Sequence, residues 1–145
     1  MSDLSHGRLG KVTLNDGTTD VTILHIKDWS NDGFKRDLTE IVEFGQDEKE
    51  FLTGLIDYGT FTINGYLDPS DTEGQAALLT DFYNATKITG IKFWYNSTGY
   101  ITPDTDTNPD SGVLITSYGP MNTSSADVPT ISITFKVTGA MKFSS

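Results

Sequence analysis

The chain has 145 residues, 36% of them apolar, the proportions of one globular domain, and a chain of this length buries about two-thirds of its unfolded surface, enough for its own core. Twenty Asp and Glu against ten Lys and Arg give a net charge of −10, which excludes gripping nucleic acid by neutralising its phosphates. Cysteine is absent, which removes disulfides, thiolate metal sites and cysteine nucleophiles, and no stretch approaches the roughly 20 apolar residues of a membrane-spanning helix.

In chain order, residues 1–7 form a polar N-terminal arm without the basic and apolar regions of a secretory signal, so use in a cytosol is expected. Lys11-Val12-Thr13-Leu14 and Val21-Thr22-Ile23-Leu24 flank Asp16-Gly17, a pair favoured where a tight turn needs positive φ, and this predicts an opening hairpin. A strand is expected over 34–44, then a polar loop over 45–54. Phe61, Ile63 and Leu67 alternate with Thr62, Asn64 and Tyr66, the period of a half-buried strand. Residues 70–86 break that period. Leu78, Leu79, Phe82 and Tyr83 fall at helical spacing, and Ser70 with Glu73 makes a capping-box signature after Pro69, so one amphipathic helix is expected to cover an open sheet face. Strands follow at Ile91–Tyr95, at 112–118 and at Ile131–Val137, where Ile131, Ile133, Phe135 and Val137 alternate with Ser132, Thr134 and Lys136. Polar loops are expected at 103–111 and 120–127. The sum is a single, mainly β domain over 1–145 of about seven strands, an antiparallel two-sheet β-sandwich or split barrel with one flanking α-helix.

Chemistry has little foothold. His6 and His25 are the only histidines, no Gly-x-Ser-x-Gly elbow is present, and the many carboxylates single out no pair for acid and base work. No catalytic residue, and so no enzyme, is expected. Asp104, Asp106, Asn108 and Asp110 place oxygen side chains at alternate positions, as a calcium loop begins, but Pro109 and Ile115 stand where an EF-hand carries Gly and Glu. A polar hairpin tip is favoured, with neither metal nor cofactor. Trp29, Trp94, Tyr95 and Tyr100 could form a platform for sugar rings; packing in a core or subunit interface is favoured.

Taken in order, these elements resemble the tail tube protein, the major tail protein of long-tailed bacteriophages and related tail-like particles. The likeness rests on Gly10-Lys11-Val12, on Ile26-Lys27-Asp28-Trp29-Ser30, and on Arg36 to Phe44 closed by Gly45. It continues with Phe51-Leu52-Thr53-Gly54-Leu55-Ile56-Asp57, Thr60-Phe61-Thr62-Ile63-Asn64-Gly65-Tyr66-Leu67-Asp68, the helix with Gln75-Ala76-Ala77-Leu78-Leu79, and Ile133-Thr134-Phe135-Lys136-Val137-Thr138-Gly139-Ala140. It covers roughly residues 8–142. Thr53 stands where many relatives have Pro, and the 103–112 loop is longer than in the simplest versions. The resemblance implies homohexameric rings stacked into a hollow tube, whose inner sheets join into one barrel. Its partners would be the tape-measure protein and the tail terminator and initiator proteins, with genomic DNA passing through unbound and no membrane involved. Its place would be the virion tail, assembled in the host bacterial cytoplasm. The inner tube of a contractile tail, a gene-transfer particle or a secretion system would share the subunit; the readings from other classes are a carbohydrate-binding β-sandwich module and an enzyme.

Two sets of residues follow as candidates. The acids crowd between residues 31 and 73, where Lys35, Arg36 and Lys49 are the only local counter-charges; Asp37, Glu40 and Glu43 are expected near the lumen, and alternation favours Asp37 with Glu43 over Glu40. A wall of carboxylates offers a passing phosphate backbone no counterion release. The 45–54 loop is the candidate contact between rings, with Phe51 and Leu52 as anchors and Asp47, Glu48, Lys49 and Glu50 as a polar rim. The arm 1–7 and the C-terminal tail 139–145 are secondary candidates.

Overall fold

The computed structural model describes residues 11–15, 17–45, 47–68, 70–123 and 129–144. The expected arm 1–7 lies outside the described residues, as do positions 124–127 of the expected 120–127 loop, whose residues 120–122 belong to a strand. Among the described residues there are eleven strands and one helix: β1 Lys11–Asn15, β2 Asp20–Thr22, β3 Ile26–Asn31, β4 Lys35–Ile41, β5 Glu50–Asp57, β6 Thr60–Tyr66, α1 Gln75–Asn84, β7 Ile91–Trp94, β8 Tyr100–Pro103, β9 Gly112–Asn122, β10 Thr130–Thr138 and β11 Met141–Ser144. The four strands beyond the expected seven are β3, β5, β8 and β11: β8 and β11 have four residues each, too few for alternation to register, while β5 falls largely in the expected 45–54 loop and β3 carries no clean apolar alternation.

The strands form a five-stranded sheet, β11-β8-β7-β1-β2, a four-stranded sheet, β3-β6-β10-β9, and a separate pair, β4-β5, with antiparallel pairing throughout. The two larger sheets meet through their apolar faces. Val12, Ile91 and Phe93 from one lie against Phe61, Ile63, Ile133 and Phe135 from the other, all essentially without solvent contact. Phe61 and Phe93 stack across the layer at 4.2 Å with their rings only 14° apart, a pairing that adds to the area both rings bury. Period-two alternation dictates this arrangement: in β10 each apolar residue is buried and each Ser, Thr or Lys between them is half-exposed.

The helix differs from expectation in its start. It begins at Gln75, behind Gly74, which supplies no side-chain cap. The Asp71 carboxylate accepts from the Gln75 amide at 3.2 Å and from the Leu24 amide at 2.9 Å, whereas Ser70 turns to Asp68 Oδ1 at 2.6 Å. The capping box does not form because Ser70 sits a turn too early. The helix packs chiefly along β9, the edge strand of the four-stranded sheet, where the Tyr118 hydroxyl donates to the Gln75 carbonyl at 2.8 Å. Tyr118 is opposite the core-facing Ile133, and Leu78 is fully buried in the core cluster, so the helix closes the core face along β9. The expected C-terminal tail is β11 from Met141 to Ser144, paired with β8 and with Met141 buried.

Candidate functional site

Strands β3 and β6 pair up to Asn31 opposite Phe61, and β4 and β5 resume at Lys35 opposite Asp57. The four strands are therefore one long ribbon with a single joint, rooted in the edge of the four-stranded sheet and ending in a tip at residues 42–45 and 47–49. Polar side chains clasp the joint. Asp32 accepts from the Thr60 amide at 2.8 Å and from the Thr60 hydroxyl at 3.0 Å, and the Asn31 amide donates to the carbonyls of Tyr58 at 3.2 Å and Thr60 at 3.0 Å. Asp57 accepts from the Gly59 amide and from Lys136, each at 2.8 Å. Gly33 and Gly59 lie on either side with φ of 106° and 77°; a Cβ at Gly59 would run into Asp32 Oδ1 and the Gly33 carbonyl. These are positions only glycine tolerates. Phe34, at the root, packs edge-on against Tyr58 at 4.7 Å and lies 6.2 Å from the Phe143 ring.

Beyond the joint the ribbon stands clear of the core. Every residue of β5 is exposed, as is all of β4 except Ile41, which is half-buried. Leu38, Phe51, Leu52 and Leu55 are 59%, 51%, 60% and 91% exposed. Cross-strand pairs put Leu38, Glu40 and Phe51 on one face and Thr39, Ile41, Glu50 and Leu52 on the other, and a bulge sets Asp37 against two residues, Gly54 and Leu55. A two-stranded ribbon with apolar residues on both faces is marginal alone in water, and its free edges are templates for pairing with another chain.

The structure relocates several candidates. Asp37 sits at the bulge and Glu40 within β4, but Glu43 follows the end of the strand, so the alternation that grouped Asp37 with Glu43 does not reach it. Glu50, Phe51 and Leu52 belong to β5 and not to a loop, which shortens the expected 45–54 loop at its C-terminal end; the exposure of Phe51 and Leu52 excludes packing beneath their own turn. Asp47, Glu48 and Lys49 lie at the tip with Glu40 and Glu43, around a dimple of about 160 Å³.

A second surface was not singled out from sequence. The outer face of the four-stranded sheet carries Asp28 and Ser30 from β3, Thr60, Thr62 and Asn64 from β6, and Thr130, Ser132, Thr134 and Lys136 from β10, aligned by register. Asn64 donates to Asp28 at 2.8 Å and accepts from Ser132. The signal was present, since these are the polar alternates of strands recognised by their apolar residues.

The other candidates disperse. Trp29 packs against Phe61 and Phe93 between the sheets, whereas Trp94 and Tyr100 lie 4.6 Å apart on the outer face of the five-stranded sheet, so the four aromatics make no common platform. His25 pairs with Asp68 at 3.1 Å. The Thr107 hydroxyl and then the Thr107 amide, which donates to Asp104 at 3.1 Å, hold the Asp104 carboxyl below the usual range, while Asp106 turns away to Lys142 at 3.2 Å. Among the described residues no three His, Cys, Asp or Glu side chains gather as metal ligands.

No protein-family model and no curated protein matches the chain. Solved structures do. A chain from the tail of an empty gene transfer agent (GTA) particle, refined helically with C6 symmetry, superposes with a TM-score of 0.73 at 14% identity, over 97% of this chain and 98% of that one. The fold is that of a tail tube subunit. A chain from the anti-feeding prophage (AFP) tube terminating cap matches with a TM-score of 0.61 at 15% identity, over 94% of this chain and 88% of that one. One from the PVC sheath-tube complex of an extracellular contractile injection system, in its extended state, matches at 0.57 and 15%, over the same shares. The tail-tube fold thus extends nearly end to end and includes the exposed ribbon.

Proposed function

We propose that this chain is the structural subunit of a tail tube, assembling in sixfold rings that stack into a hollow conduit within a virion or tail-like particle, with tape-measure, initiator and terminator proteins as partners. The carrying observation is the β4–β5 ribbon, exposed on both faces and edges, in a fold shared over its whole length with a chain of a C6 tail. A neighbouring copy that completes those edges removes the aggregation hazard, and a closed ring does so for every copy.

Joining four strands from each of six copies edge to edge makes a barrel of twenty-four strands. At roughly 4.8 Å per strand the circumference is about 115 Å and the backbone diameter about 37 Å. The five-stranded sheet and α1 lie on the core side of the four-stranded sheet, and their bulk fits the wider outer circumference. The Thr, Ser and Asn face is left as the lining. Of the cations on this face, Lys136 is held by Asp57 and Lys27 of β3 lies 5.6 Å from the Tyr66 ring, with Asp28 on the same face; the described face carries no excess of positive charge, and a passing phosphate backbone gains little counterion release. Asp37, Glu40 and Glu43, carried past the sheet on the ribbon, would form an acidic collar at the mouth of each ring, with Phe51 and Leu52 buried against the next copy. Electron microscopy of the purified protein, alone and with tail initiation proteins, tests the reading: sixfold rings or tubes are expected, and a monomer under both conditions would overturn it.

A further inference from the structure

The outer face of the five-stranded sheet points away from the core, and in the proposed ring it is the tube's exterior. A groove of about 570 Å³ crosses it from the β1–β2 turn to β11, a volume within the roughly 300–1,000 Å³ of small-ligand clefts. Its lining differs from theirs. Tyr100 and Pro103 supply the apolar surface, and among the described residues no Val, Ile, Leu, Met or Phe takes part. Protein partners are anchored by apolar side chains in well-packed pockets, and this groove has nothing to receive them.

The polar groups are fixed in advance. Asp20 is held on both oxygens, by Lys92 at 2.6 Å and by the Asn15 amide at 3.2 Å, and Lys92 Nζ lies 4.7 Å from the centre of the Tyr100 ring. At the far end Lys142 pairs with Asp106 at 3.2 Å. An ammonium has three donors, of which one carboxylate occupies one. In the β8–β11 register Tyr100 stands opposite Ser144 and Thr102 opposite Lys142, so hydroxyls stand beside the ammonium heads. The two ion pairs balance, and the groove carries many hydrogen-bonding groups with no excess of charge to attract a polyanion.

A sugar matches that pattern: each hydroxyl both donates and accepts, and the C–H face of the ring asks for one small apolar contact. We propose that this outer groove binds a saccharide, with Lys92 and Lys142 donating to its hydroxyls, Ser144 exchanging hydrogen bonds with it and Tyr100 against its C–H face. The site goes beyond the tube reading, and binding by a single subunit does not need it. With little apolar area to bury, one site binds weakly, with a millimolar Kd. In a tube the same groove faces outward from every copy around each ring and along the tail, and linked weak sites gain about 10²–10⁴ in avidity on a polymer that reaches several of them.

Titration of the ¹⁵N-labelled wild-type subunit with the methyl glycosides of glucose, galactose, mannose and N-acetylglucosamine, and with cellobiose, tests this through amide shifts. At least one sugar should shift the amides of Lys92, Thr102 and Lys142 and saturate at millimolar concentration, and a glutamate hexapeptide should shift them less. Lys142→Ala with Ser144→Ala should weaken that sugar at least about tenfold, the loss expected when a hydrogen bond to a charged group is removed. If this variant does not fold, Lys142→Gln carries the same test with a smaller loss. Assembled tubes should stay on an immobilised polymer of that sugar at least about a hundredfold longer than subunits do, and equal retention would overturn the outward array. No shift with any of the sugars, shifts confined to other surfaces, tighter binding of the glutamate peptide, or wild-type affinity in the folded variants would overturn the groove and leave the tube reading intact. Sugar binding in the groove by a subunit that forms neither rings nor tubes with its initiation proteins would support the groove and overturn the tube.

Discussion

Lys136 Nζ lies 2.8 Å from Asp57 Oδ1, tying β10 in the four-stranded sheet to the last residue of the exposed ribbon. The same carboxylate accepts from the Gly59 amide, and the Lys136 and Gly59 bonds hold its carboxyl below the usual range. Asp32, across the joint, is lowered chiefly by the Thr60 amide; burial opposes this, and the Thr60 hydroxyl adds to the lowering. A carboxyl lowered on folding stabilises fully above its ordinary value of 3.8, and that contribution is lost as the pH falls through its lowered value. The joint should therefore hold at neutral pH and loosen only below 3.8. In an NMR titration from pH 6 toward 2, the Thr60 and Gly59 amide resonances should move with midpoints below 3.8, and Asp32→Asn should flatten the Thr60 curve. Midpoints at or above 3.8 would contradict the clasp.

Gln75 is fully buried, and its side chain closes three bonds: to the Tyr66 carbonyl at 2.7 Å, to the Leu24 carbonyl at 3.1 Å and from the Asp68 amide at 2.8 Å. Gln75→Ala strands these groups away from water, at about 1–3 kcal/mol for each buried group left unpaired. A loss of about 3 kcal/mol is expected by urea unfolding, with an unchanged slope. A loss below about 0.5 kcal/mol, the range of plain surface changes, would show that water replaces the amide.

Core and ribbon should respond oppositely to truncation. Phe61→Ala empties the stack against Phe93 and should cost about 3–5 kcal/mol in the isolated subunit. Phe51→Ala with Leu52→Ala removes comparable apolar bulk from side chains half or more exposed and should shift subunit stability by only about 0.5 kcal/mol per site, yet leave rings that fail to stack. A large fall in subunit stability together with normal tube growth would place these residues in a core and not at a contact.

The lining can be tested by adding the charge it lacks. Thr62→Lys with Thr134→Lys puts two cations per subunit at paired positions of β6 and β10, and a ring of such cations restores counterion release to passing DNA. Tubes should assemble and eject DNA more slowly, with the delay relieved at high salt. Asp37→Lys with Glu43→Lys should have a similar effect if the ribbon carries an acidic collar. Ejection at the wild-type rate in the first variant would remove the hydroxyl face from the lumen, and in the second would remove the collar.

The amino-acid order alone determined the class of fold. In β6, β7 and β10 alternation places Phe61, Ile63, Phe93, Ile133 and Phe135 inside because a strand sends successive side chains to opposite faces, a rule that needs no knowledge of neighbours. Leu78 likewise marked the helix by its spacing. Only the tertiary structure decided where that rule stops applying. Residues 50–57 hold enough apolar side chains to read as part of a core, but they pair with β4 in a separate two-stranded ribbon beyond the joint, so Phe51, Leu52 and Leu55 remain in solvent. Glu43 looked like a strand residue because a linear pattern does not register where pairing ends. The helix cap depended on Asp71 meeting Leu24, forty-seven positions earlier in the chain, and the five-stranded sheet on β11 reaching β7 through β8. Such contacts arise from chain closure, and spacing along a sequence carries no record of which distant residues closure brings together.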